Sequence, residues 1–187
     1  MSLQHHFQDD LAYSKEQTLQ PWWTSVYRRF FVGYSHMTDH SGNMDMQAKG
    51  IDRTVHLKNG RHFHIDEKVR RKAYNDILLE RWSKVGTDTT DAVAGWVQKD
   101  LHVDFIAYAF ETTKCCFLIS FPFLRRAWTD NGREWCEQFP LVQAENYDER
   151  TGKYWTTESV AVPMSVLFKA LNRAQQAEWP GENGYAP

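Results

Sequence analysis

Apolar and polar positions alternate most clearly between residues 50 and 71, on either side of Lys58-Asn59-Gly60. Asn-Gly between alternating runs signals a hairpin, because both residues tolerate the positive φ of a tight turn. The pattern predicts strands over 50–57 and 61–71. Along the second, Phe63, Ile65 and Val69 share one face with Glu67, and His62, His64, Asp66, Lys68 and Arg70 share the other. The apolar runs 105–110 and 115–121 flank Glu111-Thr112-Thr113-Lys114 and predict a second hairpin. Both are too continuously apolar for an exposed strand and call for a sheet covered on two faces. Residues 76–82 predict a third strand, since Asn75-Asp76 is a turn signal and the run is short.

Helical spacing is seen in Trp22, Val26, Phe30 and Phe31, downstream of a capping sequence at Ser14-Lys15-Glu16. Pro21 either kinks that helix or marks its start. Residues 33–49 and 84–92 read as loops. Pro122 ends a strand, and Phe123 to Trp128 opens a helix. The polar stretch 147–157, with Gly152, reads as a hairpin or loop, and 162–171 as a terminal helix with Pro163 in its first turn. This order predicts an α/β fold with a mixed sheet, as a single domain over 10–177. Residues 1–9 read as an N-terminal extension, with residues left from cloning as one source of it, and 178–187 as a flexible tail.

Composition narrows the class. A chain of 187 residues, 42% hydrophobic, with eight Trp, eight Tyr and eleven Phe, builds one core and is not a disordered segment. No apolar run approaches the roughly 20 residues that cross a bilayer, and the N-terminus lacks a signal peptide's order, so a soluble cytoplasmic protein with no membrane partner is expected. Three cysteines at 115, 116 and 136 give neither zinc-ligand spacing nor an even disulfide set, and Cys115 and Cys116 read as small buried side chains. A net charge of −2 means that any nucleic-acid contact must use a local basic patch.

The hairpin brings Asp52, Asp66 and Lys68 to one place. Two carboxylates offer hard oxygen ligands suited to Mg²⁺, and an adjacent ammonium suits a phosphate or an attacking water. An acid opening one strand, followed by acid-any-Lys on the next, resembles the PD-(D/E)XK nuclease superfamily. Asp66 is the only acid in the chain with Lys two residues later. Gly50-Ile51 before Asp52, His64-Ile65 before Asp66, and the upstream Gln47 are similar to the family pattern, whose proline is absent here. The resemblance covers about residues 10 to 125.

The resemblance implies a restriction-endonuclease-like fold, with a central mixed β-sheet flanked by helices, and metal-dependent hydrolysis of DNA phosphodiesters in repair, recombination or mobile-element biology. It implies Mg²⁺, with Mn²⁺ as a substitute, held by Asp52 and Asp66, with Glu67 contributing its main-chain carbonyl. Lys68 would orient the water, stabilise transition-state charge or only neutralise Asp66. Glu16 completes the metal site or caps a helix, Gln47 bonds a phosphate or water or has no role, and Glu80 faces the site or makes a structural ion pair. His62 and His64 read as phosphate-facing, not as zinc ligands. Arg70, Arg71 and Lys72, with Arg28, Arg29, Arg53 and Arg61, form the candidate phosphate patch. Trp22, Trp23, Trp82 and Trp96 read as core. DNA is the expected partner, with a homodimer as an option. The competing readings are a catalytically inactive nuclease-fold binding or regulatory protein, an unrelated α+β domain with an apolar pocket, and, for the triad, a solvated strand face.

Overall fold

A computed structural model describes residues 3–4, 21–87, 90–149 and 151–176. Among these, ten strands form two five-stranded sheets with four helices. The first sheet has the order β2 (Tyr34–Asp39), β3 (Arg53–Leu57), β4 (His62–Arg70), β7 (Phe105–Phe110), β8 (Cys115–Ser120), with only β4 and β7 parallel. The second has the order β1 (Leu3–Gln4), β9 (Leu141–Asp148), β10 (Lys153–Pro163), β5 (Asp76–Lys84), β6 (Val93–Ala94). The helices are α1 (Trp22–Phe30), α2 (Met44–Ala48), α3 (Phe121–Gln138) and α4 (Met164–Ala174).

Where one central sheet is expected, two are found, because β5 turns away after Arg70 and pairs with β10. The α/β class holds. Glu16, the capping sequence at Ser14, the segment 5–9 and the tail 178–187 lie outside the described residues.

Two apolar clusters occupy the two faces of the first sheet. On one, Trp23, Tyr27 and Phe31 pack on Val55, Ile65, Ala107 and Ala109. On the other, Ile106, Tyr108 and Phe110 meet Ile77 and Leu79 of β5, Val160 and Val162 of β10, and the buried sides of α3 and α4. Successive residues of β7 alternate between these clusters, as a strand with two covered faces must. The central position of β4 leaves Ile65, Asp66 and Glu67 all buried.

Local differences have local causes. The segment 33–49, expected as loop, contains β2 and α2. β2 is an edge strand with mostly exposed polar residues, so it carries little apolar alternation, and α2 has no buried residue. The hairpin forms, but only Gly60 (φ 84°) turns left-handed, while Asn59 Oδ1 accepts the Arg61 N–H at 3.1 Å. Pro122 sits in the first turn of α3, whose start is Phe121, two residues earlier than expected. β9 and β10 pair as a long antiparallel hairpin with Gly152 (φ 66°) in its turn, and Val162 belongs to the strand, not to the helix after it. Cys115 is exposed, not buried, and burial pushes the half-buried Cys116 thiol up to about 12. Among the described residues no helix is long and apolar enough to cross a membrane.

Candidate functional site

Asp52 is placed by its backbone before its side chain. Its N–H donates to the Ile65 carbonyl at 2.9 Å, which locks it beside the middle of β4. Upstream, Asn43 caps α2 by accepting the Asp45 and Met46 N–H groups. The chain then reverses at Gly50 (φ 76°), where a Cβ would lie 2.8 Å from Leu101 Cδ2. That reversal points Gln47 back at Asp52, whose Oδ1 accepts from Gln47 Nε2 at 3.0 Å, while Oδ2 accepts the Glu67 N–H at 2.8 Å.

Asp66 and Lys68 lie on the β4 face that carries no α1 packing, and with Asp52 they line a cleft of about 360 Å³. Strand parity is right here: Asp52, Asp66 and Lys68 do converge. Gln47, Glu80, Trp96, Lys99 and Leu101 complete the walls. Lys68 Nζ donates to Asp66 Oδ1 at 2.5 Å and lies 5.9 Å from the Trp96 ring centroid. Glu80 Oε1 is held by Ser83 Oγ at 2.7 Å.

Burial is the main cause that raises the Asp66 carboxyl to about 7; the Asp52 carboxylate adds to it by charge and by hydrogen bonding, and Lys68 opposes both. Burial lowers the Lys68 ammonium, but Asp66, Asp52 and Glu80 outweigh it, and its pKa lies above the ordinary lysine value. At neutral pH the cleft therefore holds the buried Asp66 carboxyl close to its titration point beside a Lys68 ammonium that keeps its charge. For Asp66 the native state keeps a proton that the unfolded chain releases, so its contribution is full below pH 3.8 and is lost as pH rises to about 7. Asp66→Asn should gain stability relative to the wild type across that window, measured by urea unfolding at several pH values. A constant difference would show that Asp66 titrates normally.

Glu67 faces the other way. Its Oε1 accepts from Tyr27 Oη at 2.6 Å and from Arg53 Nε at 3.2 Å, and Arg53 also reaches Asp39 Oδ2 at 3.1 Å. Glu67 is thus a buried structural carboxyl, and Arg53, only 4% exposed, belongs to this network and not to a phosphate patch. Arg70 is likewise committed: it pairs with Asp76 and lies over the Tyr74 ring at 4.3 Å. Arg71 and Lys72 are exposed in the turn after β4, and His62 lies at the opposite end of that strand. Trp23 and Trp96 are buried as expected, and Trp22 and Trp82 are half-buried.

Mg²⁺ or Mn²⁺, expected from the resemblance, does not fit this donor set. Among the described residues no group of three or more His, Cys, Asp or Glu side chains is placed to hold a metal ion. Both Asp52 oxygens already accept hydrogen bonds, Asp66 is tied to Lys68, and the Glu67 side chain is on the opposite face. Mg²⁺ requires near-octahedral oxygen coordination, which these groups do not present. The metal roles of Asp52, Asp66 and Glu67, and with them a magnesium-dependent nuclease chemistry, are corrected accordingly.

Trp96, Lys99 and Leu101 were not legible as site residues, since they reach the cleft only through the crossing of β6 on β5. Gly95 was the available signal. A Cβ there would overlap the Glu80 carbonyl, so only glycine allows that crossing.

No protein-family model matches the chain, and neither a curated protein nor a solved structure is significantly similar to it.

Proposed function

We propose that the chain is a non-catalytic binding or regulatory protein of nuclease-like fold, with DNA as its partner. One observation carries this reading: the groups of the Asp52–Asp66–Lys68 cleft satisfy one another. A hydrolytic site needs a carboxylate pair free to bind an activating ion and an ammonium free to meet the developing charge. Here Gln47 and the Glu67 N–H occupy Asp52, and Lys68 is engaged by Asp66. The same contacts suit a structural role, in which the cleft braces α2 against β4.

The test separates binding from cutting. Labelled linear, circular, single-stranded and branched DNA is incubated with the protein in EDTA, then with Mg²⁺ or Mn²⁺. Binding without cleavage is expected under all conditions. The affinity should fall with salt by a logarithmic slope of about 0.9 per phosphate contact on duplex DNA. Lys68→Ala should leave that slope unchanged, because its ammonium is spent on Asp66. Cleavage by the wild type that Lys68→Ala abolishes would overturn the proposal.

A further inference from the structure

Register places three histidines in a row across three strands. His36 of β2 pairs with His56 of β3, and His56 pairs with His62 of β4. The His36 and His56 rings stack with centroids 4.4 Å apart and planes 8° from parallel, and His62 lies 6.2 Å beyond His56. The row continues down β4, where His64 is 5.3 Å from His62, and the Thr54 hydroxyl bridges His64 Nδ1 at 3.0 Å to His40 Nε2 at 2.8 Å. Five of the eight histidines of the chain thus gather on one side of the hairpin.

Packing does not account for this row. The alternate residues of the same strands, Met37, Val55 and Phe63, already pack toward α1. His36 and His62 are exposed, and His56 is half-buried. The carboxylate of β2, Asp39, is drawn off to Arg53. The groups acting on His56 are the four other imidazoles. Those acting on His64 are His62, His40, Lys49 and the Asp104 carboxylate, which also accepts the His64 N–H at 2.7 Å. Lys58 and Arg61 stand exposed in the turn beside the row.

We infer that the row His36–His56–His62 is a contact surface for the phosphate backbone of DNA, engaged when its imidazoles carry protons. This deepens the DNA-binding reading above and rests on it. Both nitrogens of a protonated imidazole donate; His36 Nδ1 meets Ser35 Oγ at 3.2 Å and His56 Nε2 meets Thr38 Oγ1 at 3.1 Å, so the stacked His36–His56 pair and the tilted His62 ring offer their remaining nitrogens as a line of cationic donors to phosphate oxygens. Without an anion the protonated row repels itself. Burial, then the neighbouring imidazoles, already hold His56 below the ordinary histidine value. A phosphate backbone relieves that repulsion, so binding takes up protons and must strengthen as pH falls. Each proton taken up changes the affinity about tenfold per pH unit. His64 also stands two residues from Asp66 on the same face, so the row leads directly to the cleft.

Fluorescence anisotropy with a short labelled duplex in EDTA, at about pH 5.5 and pH 7.5, tests the inference. The full-length wild type should bind at least about tenfold more tightly at the lower pH. The double variant His36→Gln/His62→Gln changes two exposed side chains and should lose most of that gain, read as the ratio of its own affinities at the two pH values. In parallel, NMR titration of the wild-type imidazoles should move to higher pH when duplex is added. Binding that is independent of pH, a pH effect retained in the double variant, or affinity that rises with pH overturns the inference and leaves DNA binding standing. No binding at either pH overturns both.

Discussion

Arg53→Met should lower the unfolding free energy by about 3–5 kcal/mol at alkaline pH, since it leaves a buried carboxyl without its charge partner. Arg53 and Glu67 are almost fully enclosed between β3, β4 and α1, with side chains 4% and 2% exposed. Burial raises the Glu67 carboxyl to about 8 even with Arg53 and the Tyr27 hydroxyl opposing it, and Glu67 Oε2 has no hydrogen-bond partner among the described residues. The folded-state value lies above the unfolded value of 4.5, so the stabilising contribution of this group is full below pH 4.5 and is lost as pH rises through about 8. The Arg53→Met loss should therefore be largest near pH 9 and shrink toward pH 5, where the carboxyl is neutral in both proteins. Adding Glu67→Gln should recover much of it at high pH. Denaturant unfolding at the two extremes decides the matter. An equal loss at both would mean that Arg53 acts through packing alone.

Gly95→Ala should cost about 3 kcal/mol or more, the upper end of what overpacking costs, because the obstacle is backbone and cannot rotate away. The Gly95 N–H donates to the Arg81 carbonyl at 2.7 Å, and an added methyl would overlap the Glu80 carbonyl next to it. Relief requires β6 to lift from β5, which carries Trp96 away from Lys68. Tryptophan emission should shift to the red in the folded variant as the cleft opens to water. A stability change under about 1 kcal/mol with unaltered emission would show that the two strands do not approach so closely.

Much of the candidate site was legible because a strand has period two. Ile65 and Glu67 against Asp66 and Lys68 needed only the hairpin and the alternation of β4, and both hold. The same reasoning could not see that Gln47 and the Glu67 N–H would fill the Asp52 lone pairs, since those contacts depend on how α2 docks. It also misjudged Arg53, which reads as a surface cation by type and is buried by position.

The chain by itself determined the two hairpins, the side of β4 that each residue faces, and the helices with apolar spacing. All of these follow from backbone geometry over a few neighbouring residues. Tertiary structure alone decided that β5 leaves the first sheet for β10, that Trp96 covers Lys68, and that His36, His56 and His62 form a row. Each depends on pairing between segments distant in sequence. Strand partners compete nearly equally in backbone hydrogen bonding, and only the burial of a whole face selects among them.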